Sequence, residues 1–266
     1  MQYNHYRVTD HGMEVTFGDY GLFFATLAEA AQDSAYKRHL IKEGLRILGR
    51  KDGFFVNPPA TNTVVECKDG LLFVKRGNTA EYPYMLHQVA AGHHYPEQTY
   101  KPDTKVIELD TLIGYQILTE VGIDISKQPE HLKSILDSMR FNGVAYSTGS
   151  KLIGTEKAEI LSAARLELTA EQIWDSIQTA ASHKWETQQL MAVPQQYIGH
   201  VLGATLDSSK KFEGFQQEEV KIFGVERGSL GKDLNSFSRW VPVGVAGLLM
   251  HLGTSAYEPY LPQSWK

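Results

Sequence analysis

Cysteine is almost absent: Cys67 is the single one in 266 residues. An intrachain disulfide and a zinc site built on cysteines are therefore excluded. Positive charge is also short. Lys and Arg number 26 against 31 Asp and Glu, a net charge of −5. Non-specific nucleic-acid binding needs summed Lys and Arg, so a protein whose main work is covering phosphate is excluded; a local basic groove is not. The N-terminus, MQYNHYRVTDHGMEV, lacks the basic-then-apolar layout of a signal peptide, and a cytoplasmic location is expected. No repeat, low-complexity tract or linker divides the chain.

What is there belongs to a globular protein. Apolar residues at 42% and charged residues at 21% exclude a disordered chain. The length suits one large core or two small ones. Only one stretch is long and apolar. Trp240–Tyr257, WVPVGVAGLLMHLGTSAY, carries no formal charge with His251 neutral, and it runs into the aromatic, proline-broken YEPYLPQSWK. It is about as long as the shortest bilayer span, roughly 17–20 residues. Pro242, Gly244, Gly247, His251, Gly253, Thr254 and Ser255 dilute it, so no membrane span is expected. A buried helix is expected instead. Gly244 and Gly247 share one face for close packing, and Leu248, Leu249 and Leu252 bury beside it.

The chain opens as strand, turn, strand: HYRV, Asp10-His11-Gly12, MEVTF. A helical region follows from about Leu22 to Leu48, with Leu40, Ile41, Leu45 and Leu48 at helical spacing and Gly49 and Gly53 at its end. TVVECK-DG-LLFVK reads as a hairpin turning at Asp69-Gly70, which puts Cys67, Val65, Leu72 and Val74 on one buried face. The middle reads as helical. Asp110 caps a helix ending at Gly122, and Pro129 starts one ending near Gly143. Thr169 and Gln172 form a capping box before a long helix with Ile173, Trp174, Ile177, Ala181 and Trp185 on its apolar face, ended or kinked by Pro194. EVKIFGV reads as a strand. The order predicts an α+β fold: one compact body, 1–266, with antiparallel strands at both ends, a largely helical middle and a helical insertion at about 108–205.

Asp207, Glu219 and Lys221 form the leading candidate site. Residues two apart on a strand point to one face, so Glu219 and Lys221 would stand together while Val220 and Ile222 enter the core. The strand resembles the Glu-x-Lys half of the motif of restriction-enzyme-type nucleases. That resemblance implies Mg²⁺ held by Asp207 and Glu219, with Lys221 steering water and stabilising charge at phosphorus. No proline precedes Asp207, and no hairpin is obvious between the acid and the strand. The plain alternative is a solvated strand face with an ordinary ion pair. Lys210, Lys211, Arg227, Lys232 and Arg239 would make the local basic patch such a site requires.

His87, His93 and His94 could bind a metal with Glu97 and Asp103 near in sequence. Adjacent histidines on an extended segment point opposite ways, however, so surface roles suit them as well. Asn57-Pro58-Pro59 resembles the Asn-Pro-Pro-aromatic motif of amino-methyltransferases acting on nucleic-acid bases, but Ala60 stands where the stacking ring belongs, which favours a rigid turn. The loop Gly224–Asp233 has glycines, Arg227 and Lys232 that could cradle a phosphate, with a flexible connector as the alternative. Ser34-x-x-Lys37 and Ser147–Lys151 carry the residues of serine–lysine acyl transfer without its partner motifs.

Two readings of function follow. In one the chain is a structural or adaptor subunit of an assembly. It pairs with a protein partner or itself through 240–266, where Tyr257, Tyr260 and Trp265 are anchors and Pro259 and Pro262 hold the tail extended. In the other it is a Mg²⁺-dependent nuclease or phosphodiesterase using Asp207, Glu219 and Lys221. An enzyme whose site is assembled from residues dispersed along the chain leaves no motif.

Overall fold

A computed structural model describes residues 2–9, 12–18, 25–26, 28–30, 32–49, 60–78, 82–93, 103, 107–148, 156–206, 219–224, 240–253 and 258. The fold is α+β. The chain divides into two compact units with interleaved segments. One holds Met1–Thr61, Gly92–Leu112 and Val144–Ile160, the other Asn62–Ala91, Ile113–Gly143 and Leu161–Lys266.

The first unit begins with the expected hairpin, β1 (Gln2–Thr9) antiparallel to β2 (Gly12–Gly18). Helix α1 (Ser34–Leu48) starts where the Asp33 carboxylate accepts the Ala35 and Tyr36 N–H groups, and Gly49 ends it at φ 68°. Tyr36, Leu40 and Ile41 pack on Ala30. Leu45 departs from the expected apolar stripe and is exposed.

A sheet runs in the order β10–β9–β4–β3–β8–β7. Its strands are β3 (Ala60–Cys67), β4 (Gly70–Arg76), β7 (Arg140–Thr148), β8 (Glu156–Arg165), β9 (Thr187–Val193) and β10 (Lys221–Gly224). The short β5 (Leu86–Gln88) pairs with β4, and β6 (Ala90–His93) with β3. The region about 108–205 thus carries three strands beside its helices. Those helices are α2 (Leu109–Gln116), α3 (Pro129–Ser138), α4 (Ala170–Ala180) and α5 (Gln195–Leu206).

The hairpin forms, with its turn one residue earlier than expected. Cys67 pairs with Gly70 and Glu66 with Leu71, so Lys68 and Asp69 make the loop. Gly70 serves the sheet rather than the turn. It sits at φ 132° under β9, where a Cβ would collide with the Val193 carbonyl and lie 2.7 Å from the Pro194 nitrogen. Asp69 is also occupied: its Oδ2 accepts the Ala170 N–H at the start of α4 (2.7 Å), and its Oδ1 accepts from Lys221 Nζ (2.7 Å). Moving the turn by one residue moves the pairing sum by two, so Cys67, Val65, Leu72 and Val74 still share a face. Cys67 is 7% exposed, and burial pushes its thiol pKa up.

The apolar run becomes α6 (Pro242–Leu252), a core helix. Val245 and Leu248 enter the main core with Trp240, Phe73, Leu71, Leu86, Met191 and Ile198, while Leu249 and Leu252 pack partly buried against it. Its glycine face lies on polar neighbours. A Cβ on Gly244 would be 2.8 Å from Gln88 Oε1, and one on Gly247 would be 2.8 Å from Asn62 Oδ1. Gln88 Nε2 donates to the Gly244 carbonyl at 2.7 Å. Among the described residues no helix is long and apolar enough to cross a membrane.

Candidate functional site

The strongest chemical arrangement lies where three turns of the second unit meet. Helix α2 runs into a π turn, Ile117–Val121, closed by Gly122 at φ 80°. Thr119 explains the irregularity. Its hydroxyl donates back to the carbonyls of Tyr115 (3.0 Å) and Gln116 (3.3 Å), a bond that loosens a helix. The Thr119 carbonyl turns outward and accepts the His183 N–H (3.1 Å) and the Ser182 hydroxyl (3.3 Å). π turns recur at functional sites because they re-aim side chains within a helix.

That turn aims Glu120. Its carboxylate is buried, and Oε1 accepts from His183 Nδ1 at 2.7 Å. His183 precedes a three-ten turn, Lys184–Glu186, that is bolted to the end of β4: Gly77 N–H donates to the Glu186 carbonyl at 2.7 Å. Arg76 Nη2 meets Glu186 Oε2 at 2.8 Å. The four groups feel one another. Burial drives the Glu120 carboxyl pKa up, and the His183 bond pulls it only partly back; Glu186 adds to the rise and Arg76 opposes it. The same bond holds the His183 imidazole above its ordinary value, against burial. Trp185 projects from this turn 55% exposed, its ring 6.4 Å from that of His183 at 62°.

The geometry defines roles. A buried carboxylate engages Nδ1, which leaves Nε2 as the other ring nitrogen of a side chain about one-third exposed. A buried acid orienting a histidine in this way is how acid–base pairs keep one tautomer ready.

Both shifts have the same consequence for stability. His183 is raised above 6.5 and Glu120 above 4.5, so the folded state binds protons that the unfolded chain releases. Stability from His183 is fully present below about pH 6.5 and is lost as pH rises through the folded value. In Glu120→Gln the carboxylate no longer holds the imidazole up. The fall of melting temperature as pH rises above about 6.5 should become shallower than in the native protein. Equal slopes for the two would contradict the assignment.

The sequence-derived candidates are placed differently. Asp207 lies outside the described residues, as do Lys210, Lys211, Arg227, Lys232 and Arg239. Glu219 precedes β10 instead of lying on it, and accepts from the Tyr197 hydroxyl. Lys221 starts β10 and pairs with Asp69, so Glu219 and Lys221 do not share a strand face. β10 begins at Lys221, opposite Ala192 of β9.

His87 is buried, with Nδ1 3.2 Å from Gln88 Oε1 and 3.5 Å from Asn62 Nδ2. His93 is half-buried on β6, and His94 lies outside the described residues. Among the described residues no group of three or more His, Cys, Asp or Glu is arranged to hold a metal ion. Ser34 Oγ accepts from Arg38 in α1, at 3.3 Å. Asn57-Pro58-Pro59, Val225–Asp233, Gly149–Lys151 and Tyr257, Tyr260 and Trp265 lie outside the described residues.

Glu120 and His183, 63 positions apart, were not marked by any motif. One signal was available: Glu120 is the only charge between Asp110 and Asp124 in an otherwise apolar helix.

No family model matches the chain, and no curated protein is similar to it. Among solved structures, it is similar to a bifunctional NMN adenylyltransferase/ADP ribose pyrophosphatase of Francisella tularensis, determined with AMP and a manganese ion. The TM-score is 0.40 and the identity 11%, over 88% of this chain and 53% of that one. This chain therefore spans about half of that protein's length. A likeness this distant carries no activity from one chain to the other.

Proposed function

We propose that the protein is an acid–base enzyme of the hydrolase type, with His183 as the proton-transfer group and Glu120 as the residue that positions it. One observation carries this reading: the 2.7 Å bond from His183 Nδ1 to a buried carboxylate, on a histidine side chain about one-third exposed. His183 Nε2 takes a proton from an attacking water and returns it to the leaving group. Glu120 keeps the imidazole in register and stabilises the imidazolium in between. The Arg76–Glu186 pair ties the turn after His183 to the end of β4.

The test is a panel of chromogenic esters, phosphomonoesters and phosphodiesters. On a substrate the native protein turns over, His183→Gln should lose about 10²–10⁴-fold in kcat, the usual worth of general acid–base catalysis. Glu120→Gln should also shift the pH profile, because it acts through the His183 pKa. No turnover across the panel, or native kcat in His183→Gln, overturns the reading.

The nuclease reading of Asp207, Glu219 and Lys221 has less support, since Glu219 and Lys221 are each engaged elsewhere. The assembly-subunit reading keeps one favourable observation. Phe141 and Met250 are 61% and 52% exposed, and Met250 Cε lies 3.1 Å from where a Cβ on Gly143 would stand. Met250 stands on the last turn of α6. Removing residues 257–266 should lower stability or split an oligomer if that segment carries the assembly. Unchanged mass by light scattering with an unchanged melting temperature would remove this reading.

A further inference from the structure

We infer that Trp185 is the platform of a ring-binding subsite, and that the substrate handled at His183 carries a flat heteroaromatic ring. The inference rests on the acid–base reading and adds the substrate class.

Trp185 is large, apolar and left largely in water, on a turn that is otherwise tied down at both ends. Glu186 N–H donates to the His183 carbonyl (2.8 Å), Gly77 N–H donates to the Glu186 carbonyl (2.7 Å), and a Cβ on Gly77 would lie 2.7 Å from the Trp185 carbonyl. The backbone under the indole is therefore held in place by its neighbours, so a ring landing on it meets a pre-set surface and orders little else. Trp185 has His183 on one side in sequence and Glu186 on the other, and its ring edge meets the imidazole.

Stacking on an indole is favourable for any flat π system. The polar surroundings select within that class. His183 presents a hydrogen-bonding ring edge beside the platform. A hydrocarbon ring would waste that group. A heteroaromatic with hydrogen-bonding edges, such as a nucleobase or a nicotinamide, would use it. Stacked on Trp185, it would lie beside the His183 imidazole.

The experiment is calorimetric titration and saturation-transfer NMR with adenosine, cytidine and nicotinamide, and with ribose as a ring-free control. At least one ring compound should bind the native protein and ribose should not. Trp185→Phe should keep most of the affinity and Trp185→Ala should lose about tenfold or more, the usual scale of one stacked base. Because the side chain is exposed, the melting temperature should stay within a degree or two in both. His183→Gln should still bind the ring. This separates the two ideas: loss of turnover without loss of binding belongs to the acid–base reading, and loss of binding in Trp185→Ala belongs to this one. Failure of all three ring compounds to bind, ribose binding as well as they do, or undiminished binding by Trp185→Ala overturns the subsite.

Discussion

Trp240→Ala should destabilise the protein by about 3–5 kcal/mol, the range for removing a buried tryptophan from a core. Trp240 is 1% exposed and heads the fully buried side chains by volume. Its ring stands edge-on to Phe73 with centroids 5.1 Å apart, and the next residue begins α6 with Val241 N–H on the Leu86 carbonyl at 2.9 Å. The indole thus sits where β4, β5 and the entry to α6 close on one another, and none of them can collapse into the space without giving up its own pairing. Trp240→Phe should be much milder. The indole nitrogen has no acceptor in its buried position, so replacing it removes an unsatisfied donor together with the volume. Urea unfolding checks both. A midpoint for the alanine variant within error of the native protein would mean that Trp240 is not a core anchor.

Gly70→Ala should cost about as much, on the order of 3–5 kcal/mol, for a different reason. No side chain is lost. A Cβ is forced into the Val193 carbonyl at the head of the β4–β9 ladder, where Leu71 pairs with Val193, and φ 132° is strained for any residue but glycine. The obstacle is backbone, so rotamer changes cannot relieve it. Asp69→Ala, by contrast, should cost only the order of 1 kcal/mol typical of a lost helix cap, since its other partner Lys221 is exposed. A thermal melt of Gly70→Ala within two degrees of native would contradict the close approach.

These two positions also mark how far the sequence could be read. Where structure is set by neighbours along the chain, the pattern was legible. The Thr169–Gln172 capping box forms with both of its bonds, Pro129 opens α3, and the glycine-bearing apolar run is a buried helix. Where it is set from far away, the pattern was silent. Asp69-Gly70 looked like a turn pair, yet Gly70 answers to Val193 and Asp69 to Ala170 and Lys221. Helix α4 was expected to run on past Trp185 because Ala181 and Trp185 keep the stripe. It ends at Ala180, where the next residues turn to satisfy the Thr119 carbonyl, and Trp185 becomes a surface group. α3 likewise stops at Ser138, and β7 takes up the residues beyond it. β8, EKAEILSAAR, is built from good helix formers, and its place between β3 and β7 overrides that preference. The Glu120–His183 pair needs a π turn and two separate segments, neither of which periodicity can carry.

The hairpin at residues 60–76 has a consequence for how the chain is made. Its two strands leave the ribosome early, but the groups that complete them are encoded much later. Lys221 is 152 positions beyond Asp69, and the Gly244 carbonyl is 156 beyond Gln88. At about 5–20 residues per second, β4 waits many seconds with its β9 edge unpaired and Phe73 without Trp240. Chains built on such distant pairings fold slowly and expose sticky edges while they do so. Synthesis of this protein therefore calls for a holding chaperone more than its modest size would suggest, and a version truncated before β9 should aggregate rather than persist as a folded fragment.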